Sequence, residues 1–593
     1  MMSIDSTLSI LQEHQLLVVV LEPEPGFAFK HALTWEAAYQ SLLMSKRQEI
    51  HRQVAECYEA LFEGRLEEFA AHLAWHYSAA GDAAMTVNYA TMAGEAALRR
   101  SAHQEALASY EQALESTRSG AADNQQLTRI FIGRGRALEL AAQHEAAMRN
   151  YEEMARLGNE RQDPALKLSA LLAQATLYSV PSTVYRPEAG LALAQEASYL
   201  ARELGDHRAE SHALWILSLL EGFSGSGERS IEYGETSLAL ARQYDYRDQA
   251  AFTLNNLSTS YMSAGDLENA GRSLEEAAAL WRELGNLPML TDTLTNFSIY
   301  YFALGDTERS LKSAEEAQQI SLSIGNLWGQ AYGRFILSHA LGELGEWGQA
   351  LRKAEECLEL ANQAGFVPPQ CIVRAQMASI YADQGAIEHA LGLANAAREV
   401  AQRLYPKWQA YAAAVVARVQ LAAGEVDRAA VTINEAVASL KPGDPLAAVT
   451  EVSIRLIEAL ISIACRDYAR VGSACDSLKR FRDGGARSYL ADEMLMRGLA
   501  ASAMKDLDTA RRYLEAAQAE AQSNMSRRIL WRILLALADL EVDAGRPLEA
   551  EAIRQQAAEH VGFIADHIQD DERRRSFLSQ DLVRQALNPQ SSR

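Results

Sequence analysis

Along most of the chain, apolar side chains recur at the spacing that turns one stripe of a helix toward a core. The stripes come in pairs: two helical segments, a short polar turn between them, then a second break before the next pair. One stretch near the start departs from this, LLVVVLEPEPGFAFKH, whose run of β-branched and aromatic residues predicts short strands.

The turns keep a fixed interval. SAGDLENAGRSLEEA at 263, ALGDTERSLKSAEEA at 303, ELGEWGQALRKAEEC at 343 and DQGAIEHALGLANAA at 383 align without gaps. Their glycines belong to the series Gly225, Gly265, Gly305, Gly345, Gly385 and Gly424, at steps of 40, 40, 40, 40 and 39 residues, and Gly545 continues it. Arg466 and Lys505 stand at the two turns between that lack glycine. Seven residues before each turn the side chain is small (Ser218, Ser258, Ser298, Ser338, Ala378, Ala417), and the residue before that is large and apolar (Leu217, Leu257, Phe297, Leu337, Met377, Val416). Five after the turn stands Ala270, Ser310, Ala350, Ala390, Ala429, Ala510 or Ala550; twelve after it stands Ala277, Ala317, Cys357, Ala397, Ala436, Ala517 or Ala557. Small residues seven apart share one helix face, where two helices can cross closely and a neighbour's large side chain fills the gap.

Large–small on a first helix, an aromatic four before the turn (Tyr261, Tyr301, Tyr381), a turn glycine and two alanine columns on a second helix resemble the tetratricopeptide repeat. The longer repeat is similar to that of the sensor region of MalT-like regulators. The resemblance implies an all-α, right-handed solenoid of helical hairpins. Weaker copies at 141 (AAQHEAAMRNYEEMA), 100 (RSAHQEALASYEQAL) and 78 (SAAGDAAMTVNYA) carry the array toward the N-terminus, so it is expected over 66–566. SVPSTVYRPEAG (179–190) predicts a splayed pair, and Pro288, Pro368, Pro369, Pro406, Pro442 and Pro445 are read as ending second helices between repeats.

The ends break the interval. Residues 1–65 are expected to form a small winged-helix-like piece with junction helices, and 567–593 a C-terminal helix and tail. The matching points Phe27, Phe29, His31, Ala32, Leu33, Glu36, Tyr39, Leu42, Arg47, His51 and Arg52 resemble the junction that follows the ATPase module of bacterial multidomain signalling ATPases, some of which carry an adenylate-cyclase domain. Arg574, Phe577, Leu578 and Val583 resemble the usual ending of such proteins. The resemblance implies a regulatory arm with an ATPase or cyclase as partner. No Gly-Lys dipeptide occurs, so a P-loop is absent from this sequence, and the LLVVVLE run (16–22) is read as an ordinary buried strand rather than a Mg²⁺-binding one.

Composition removes several classes. With 56 basic and 78 acidic residues the net charge is −22, which disfavours nucleic acid as a direct partner. No apolar run approaches the roughly 20 residues of a spanning helix, so no membrane association is expected. The N-terminus lacks a signal-peptide core, and the five cysteines, without CxxC spacing, read as reduced thiols of a cytoplasmic protein.

Candidate chemistry is sparse. His72 and His76 have helical i, i+4 spacing, but Leu73 stands where HExxH needs glutamate, so packing is the expected role and no metal is expected. Cys465 and Cys475 lack histidine neighbours, and GFSGSGERS (222–230) occupies a repeat turn rather than a phosphate loop. No catalytic set emerges, so a non-enzymatic protein without cofactor is expected. The tetratricopeptide resemblance implies that first helices line a concave groove. Its offsets select His212, Trp215, Phe252, Asn255, Thr259, Phe302, Tyr332, Phe335, His339, Tyr411 and Arg418, while Asn256 and Asn296 match an asparagine that holds a peptide backbone. An amide both donates and accepts, which suits an extended chain. The expected function is therefore a scaffold or sensor that binds a peptide or protein in that groove. The alternative is a small-molecule sensor, as the MalT-like resemblance implies.

Overall fold

The computed structural model describes residues 4–20, 26–100, 102–118, 120, 122–180, 182, 184–224, 226–404, 408–440 and 448–587. Gly225, Pro406, Pro442, Pro445 and part of the 16–22 run lie outside them. The described residues form 31 α-helices and one two-stranded sheet, the all-α array of paired helices that the forty-residue interval predicts. They divide into two units, 1–170 and 171–593.

In the first unit, α1 (Ile4–Glu13) leads into β1 (Leu17–Val20), which pairs antiparallel with β2 (Gly26–Phe29), Leu17 opposite Phe29. The expectation of an ordinary buried strand at 16–22 is corrected here: only Leu17 is buried, while Leu16, Val18, Val19, Phe27 and Phe29 are exposed. A lone hairpin has too few neighbours to cover both faces. There follow α2 (Ala32–Ser41), α3 (Met44–Leu61), α4 (Ala70–Ala79), α5 (Ala83–Arg99), α6 (His103–Thr117), α7 (Asn124–Leu140) and α8 (His144–Glu160). Hairpin packing sets in here: the buried Tyr110 ring lies so close to Gly133 that a side-chain carbon there would fall 2.3 Å from it. The division between units falls within α9 (Pro164–Ser179).

The second unit opens with α10 (Pro187–Leu204), α11 (His207–Ser224), α12 (Gly227–Gln243), α13 (Arg247–Ala264), α14 (Leu267–Leu284), α15 (Leu287–Ala303) and α16 (Thr307–Ser323). It continues with α17 (Leu327–Leu344), α18 (Trp347–Gln363), α19 (Val367–Asp383), α20 (Ile387–Leu404), α21 (Gln409–Ala422) and α22 (Val426–Ala438). The last part comprises α23 (Ala448–Ala464), α24 (Tyr468–Asp476), α25 (Lys479–Asp483), α26 (Leu490–Ala503), α27 (Leu507–Ser523), α28 (Arg527–Asp543), α29 (Pro547–Asp566), α30 (Asp571–Ser579) and α31 (Asp581–Leu587).

The turns work as their residues dictate. Gly265, Gly305, Gly345, Gly385, Gly424 and Gly545 all have φ between 75° and 86°, where glycine carries no Cβ penalty; Arg466 and Lys505 occupy the same region at 61° and 63°. The next helix then restarts on a cap: Asp266, Asp306, Asp467 and Asp506 each accept a hydrogen bond from the backbone N–H three residues on. A second left-handed series, Gly205, Asp245, Gly285, Gly325 and Gly365, closes the second helices and sits midway between the first. Pro288, Pro368 and Pro369 therefore do not end second helices, as expected above. They stand in the first turns of α15 and α19, where the missing N–H has no partner to lose.

Within a hairpin the small columns form the seam. Ala270, Ser310, Ala350, Ala390, Ala429 and Ala510 are fully buried, as are Ala277, Ala317, Cys357, Ala397, Ala517 and Ala557. Ser218 Oγ, Ser298 Oγ and Ser338 Oγ donate across it to the carbonyls of Ser230, Ser310 and Ala350 at 2.7, 2.6 and 2.8 Å. Each buried hydroxyl thus holds the crossing at close range without an unmet polar group.

The second unit also closes on itself. Arg487 N donates to Ala303 O at 2.7 Å, Thr307 Oγ1 to Asn524 O at 2.9 Å across 217 residues, and Gly348 N to His567 O at 2.8 Å. Successive turns of the middle hairpins are met in order by α25, α27–α28 and α29, then Gln580 Nε2 donates to Asp383 O at 2.8 Å. At the first of these contacts, a side-chain carbon on Gly484 would lie 1.6 Å from Gly265 O.

Candidate functional site

First helices of successive hairpins lie beside one another, α11 next to α13, α13 next to α15 and α15 next to α17, and the chemistry they carry on the side expected to face the groove changes along the chain. From α11 to α15 it is aromatic and amide-rich. Trp215 lies 5.3 Å from His212 and 5.6 Å from Phe252, ring centre to ring centre, and Phe252 meets the buried Trp281 edge-on at 4.8 Å. Burial lowers the His212 pKa to about 4, so the ring is neutral at pH 7 and behaves as an aromatic wall. Trp215 Nε1 and Asn256 Nδ2 are shielded from solvent and have no hydrogen-bond partner among the described residues.

Between α13 and α15 lies a polar cradle. The buried Asn255 donates through Nδ2 to Asp292 Oδ2 at 2.6 Å and accepts through Oδ1 from Thr293 Oγ1 at 3.0 Å and Asn296 Nδ2 at 3.1 Å. Two donors on its oxygen fix which way the amide points. The Asp292 carboxylate is solvent-accessible, yet surrounding protein desolvates it enough to push its pKa above the ordinary value despite the Asn255 hydrogen bond. Asn255 and Asn296, selected from the sequence as independent groove contacts, are thus one network. Thr259 is exposed, its hydroxyl bonded to Asn256 O.

From α17 onward aromatic contacts continue and then give way to ions. Tyr332 packs beside Phe335 and Phe366, with ring centres 6.3 and 5.2 Å apart, and His339 meets Phe302 edge-on at 4.5 Å. Tyr411 is buried. Beyond them Arg528 of α28 bridges Glu343 of α17 at 2.7 Å and Asp492 of α26 at 2.8 Å. Arg532 and Arg418 both reach Asp383, each at 2.9 Å. Burial by itself would raise the Asp383 carboxyl, but the two arginines and Arg528 hold it at about 2. Glu343 is likewise held low against its burial, by Arg528, His339 and the Ser526 hydroxyl.

Arg418, expected as a ligand contact, is therefore spent on an intramolecular ion pair, and the groove positions Trp215, Phe252, Asn255, Asn256 and Asn296 gather apart from it. Sequence reading passed over Asp292, Glu343, Asp383, Arg528 and Arg532. Their only sequence signal is charge at first-helix positions otherwise held by apolar or amide residues.

Elsewhere, His76 Nδ1 lies 3.0 Å from His51 Nδ1, whose Nε2 faces the Tyr39 hydroxyl at 2.9 Å. Among the described residues no group of three histidine, cysteine or carboxylate side chains comes together to hold a metal. Burial pushes the Cys357, Cys371 and Cys475 thiols up to about 12, which keeps them protonated and inert. No helix among the described residues is long and apolar enough to cross a membrane.

The tetratricopeptide repeat family profile matches residues 249–323, the stretch that holds the Asn255–Asp292 cradle. No curated protein matches the chain. Similar solved structures include a Rap protein complexed with competence and sporulation factor, 13% identical over 55% of this chain and 96% of that one, with a TM-score of 0.41. The Rap conjugation gene regulator of plasmid pLS20, in complex with the Phr* peptide, is 13% identical over 56% and 93% of the two chains, TM-score 0.41. A signal transduction ATPase with numerous domains and a tetratricopeptide repeat sensor, from Pyrococcus horikoshii, is 16% identical over 60% and 58%, TM-score 0.34. The described residues are an array of helical hairpins, and those at 249–323 match the tetratricopeptide repeat profile.

Proposed function

We propose that this protein is a non-catalytic binding scaffold that takes an extended peptide or protein segment on the inner face between α11 and α17. The observation that carries this is the pair of shielded donors without a partner among the described residues on that face, Trp215 Nε1 and Asn256 Nδ2, set among half-buried aromatic rings. A buried donor without a partner costs free energy, and a ligand carbonyl would recover it. Trp215, Phe252, Phe302, Tyr332, Phe335 and His339 supply anchor area of the kind that dominates binding energy, while Asn256 and Asn296 hold the backbone.

In this reading residues 66–566 are the sensing array. Residues 1–65 and 567–593 are the junctions through which occupancy is passed to a signalling ATPase or cyclase, supported by the resemblance of Phe27, Phe29, His31 and Arg574, Phe577 to such proteins. An ATPase or cyclase encoded in the same frame or the adjacent gene supports that part; a coding context with neither removes it.

The groove is tested with a fluorescein-labelled, fully degenerate peptide pool followed by anisotropy. Wild-type protein should retain a fraction of the pool, and replacing Trp215, Asn256 and Asn296 together by alanine should abolish retention while circular dichroism stays helical. Unchanged retention by the triple variant contradicts the reading.

A further inference from the structure

Three carboxylates of first helices on the inner face can be compared directly. Glu343 has Arg528, and Asp383 has both Arg418 and Arg532. Asp292 has no cation within ion-pairing distance among the described residues; its one hydrogen bond comes from the neutral Asn255 amide. The arginines on adjacent helices are engaged elsewhere: Arg208 and Arg247 pair with Asp248 and Glu283, Arg282 with Glu316, and Arg334 with Glu356.

Asp292 is exposed, yet its position is ordered. Asn255 orients it, Thr293 and Asn296 orient Asn255 in turn, and the Tyr332 phenol on α17 feels its charge. A carboxylate offers about four lone-pair sites, so most of its accepting capacity stays open to the groove. An exposed carboxylate held in a fixed orientation without its counter-ion is an open acceptor for a cation arriving from outside. The net charge of −22 draws such a cation toward the protein.

Resting on the groove reading above, we propose that the peptide held between α11 and α17 carries a basic side chain, which forms an ion pair with Asp292 while Trp215 and Phe252 pack against neighbouring apolar side chains. Asn256 meets the peptide backbone on the same face. The recognised chemistry is a guanidinium or ammonium presented by an extended chain. A free small cation would offer the charge without the backbone and the apolar neighbours.

The test compares three probes on the full chain by anisotropy and competition: a degenerate labelled peptide pool with arginine fixed at its centre, the same pool with glutamate fixed there, and spermidine as unlabelled competitor. Wild-type protein should bind the arginine pool about tenfold more tightly than the glutamate pool, an effect weakened by salt. Asp292→Asn, nearly the same shape, should erase that preference yet retain binding of both pools. Asp292→Lys should invert it. Equal binding of both pools by wild type, or a preference that survives Asp292→Asn, overturns the proposal and leaves the groove intact. Binding of neither pool overturns the groove reading as well. Displacement by spermidine alone at equal effective concentration overturns the peptide in favour of a small cation.

Discussion

Two stretches of one inner face, built from the same hairpin, behave in opposite ways. From α11 to α15 the first helices carry amides, aromatics and Asp292, which has no cation partner among the described residues; α17 and α19 carry carboxylates already matched by arginines of α21 and α28. The small columns and left-handed turns are the same in both. Repeat architecture therefore sets where a side chain points, and the residue placed there decides whether the position holds the protein's own later helices or is left for something else. The second stretch is a clasp, and the first is the stretch for which a ligand is proposed.

The largest effect should come from breaking the clasp. Arg528→Ala leaves Glu343 and Asp492 half-buried without their cation, and the loss should be about 3–5 kcal/mol, read as a drop in the denaturation midpoint of the full chain. An unchanged midpoint would mean the clasp contributes nothing. Gly484→Ala should cost somewhat less, about 1–3 kcal/mol, because its new carbon meets the Gly265 carbonyl and the contact must open. Limited proteolysis should then release fragments from α25 onward that wild type protects.

Acid separates the stretches by sign. Asp383 is held near 2, below its ordinary value, so its pairing stabilises the fold fully above about pH 4 and is lost as the pH falls toward 2, about 2 kcal/mol in all. Asp383→Asn should flatten that part of the stability–pH curve. Asp292 lies above its ordinary value, so protonating it on acidification favours the fold, and Asp292→Asn should stabilise the empty protein slightly at neutral pH.

The smallest effect on stability should come from the stretch for which a ligand is proposed. Trp215→Phe and Asn256→Ala remove donors that have no partner, and each should move the midpoint by less than about 0.5 kcal/mol while weakening peptide retention. A large destabilisation would mean these side chains serve packing.

How much of this was legible depends on how local each cause is. The turn glycines and alanine columns could be read because a left-handed φ and a close helix crossing each demand a particular residue at a fixed offset. Gly285, Gly325 and Gly365 obey the same rule and repeat at the same forty-residue interval as a second series. The buried serines showed as small residues, and their hydrogen bonds across the seam did not. The clasp left no such trace: Arg528 and Glu343 are 185 residues apart, and nothing periodic connects them. Asp292 looked like any surface acid, since its isolation is a fact about which arginines are occupied elsewhere. The exposed strand pair, 17–20 with 26–29, reads as core because its apolar run says nothing about how many neighbours will cover it.

The central claim is that the face from α11 to α17 receives a ligand and the ion pairs of Arg418, Arg528 and Arg532 do not. Photo-crosslinking tests it most directly: the arginine-centred peptide pool, carrying a benzophenone, is irradiated with the full chain and the attachment sites are mapped by mass spectrometry. The account predicts adducts concentrated on first helices between His212 and His339 and their loss in Asp292→Lys. Adducts spread over the second helices, or centred on Asp383 and Arg418 and indifferent to Asp292, would contradict it.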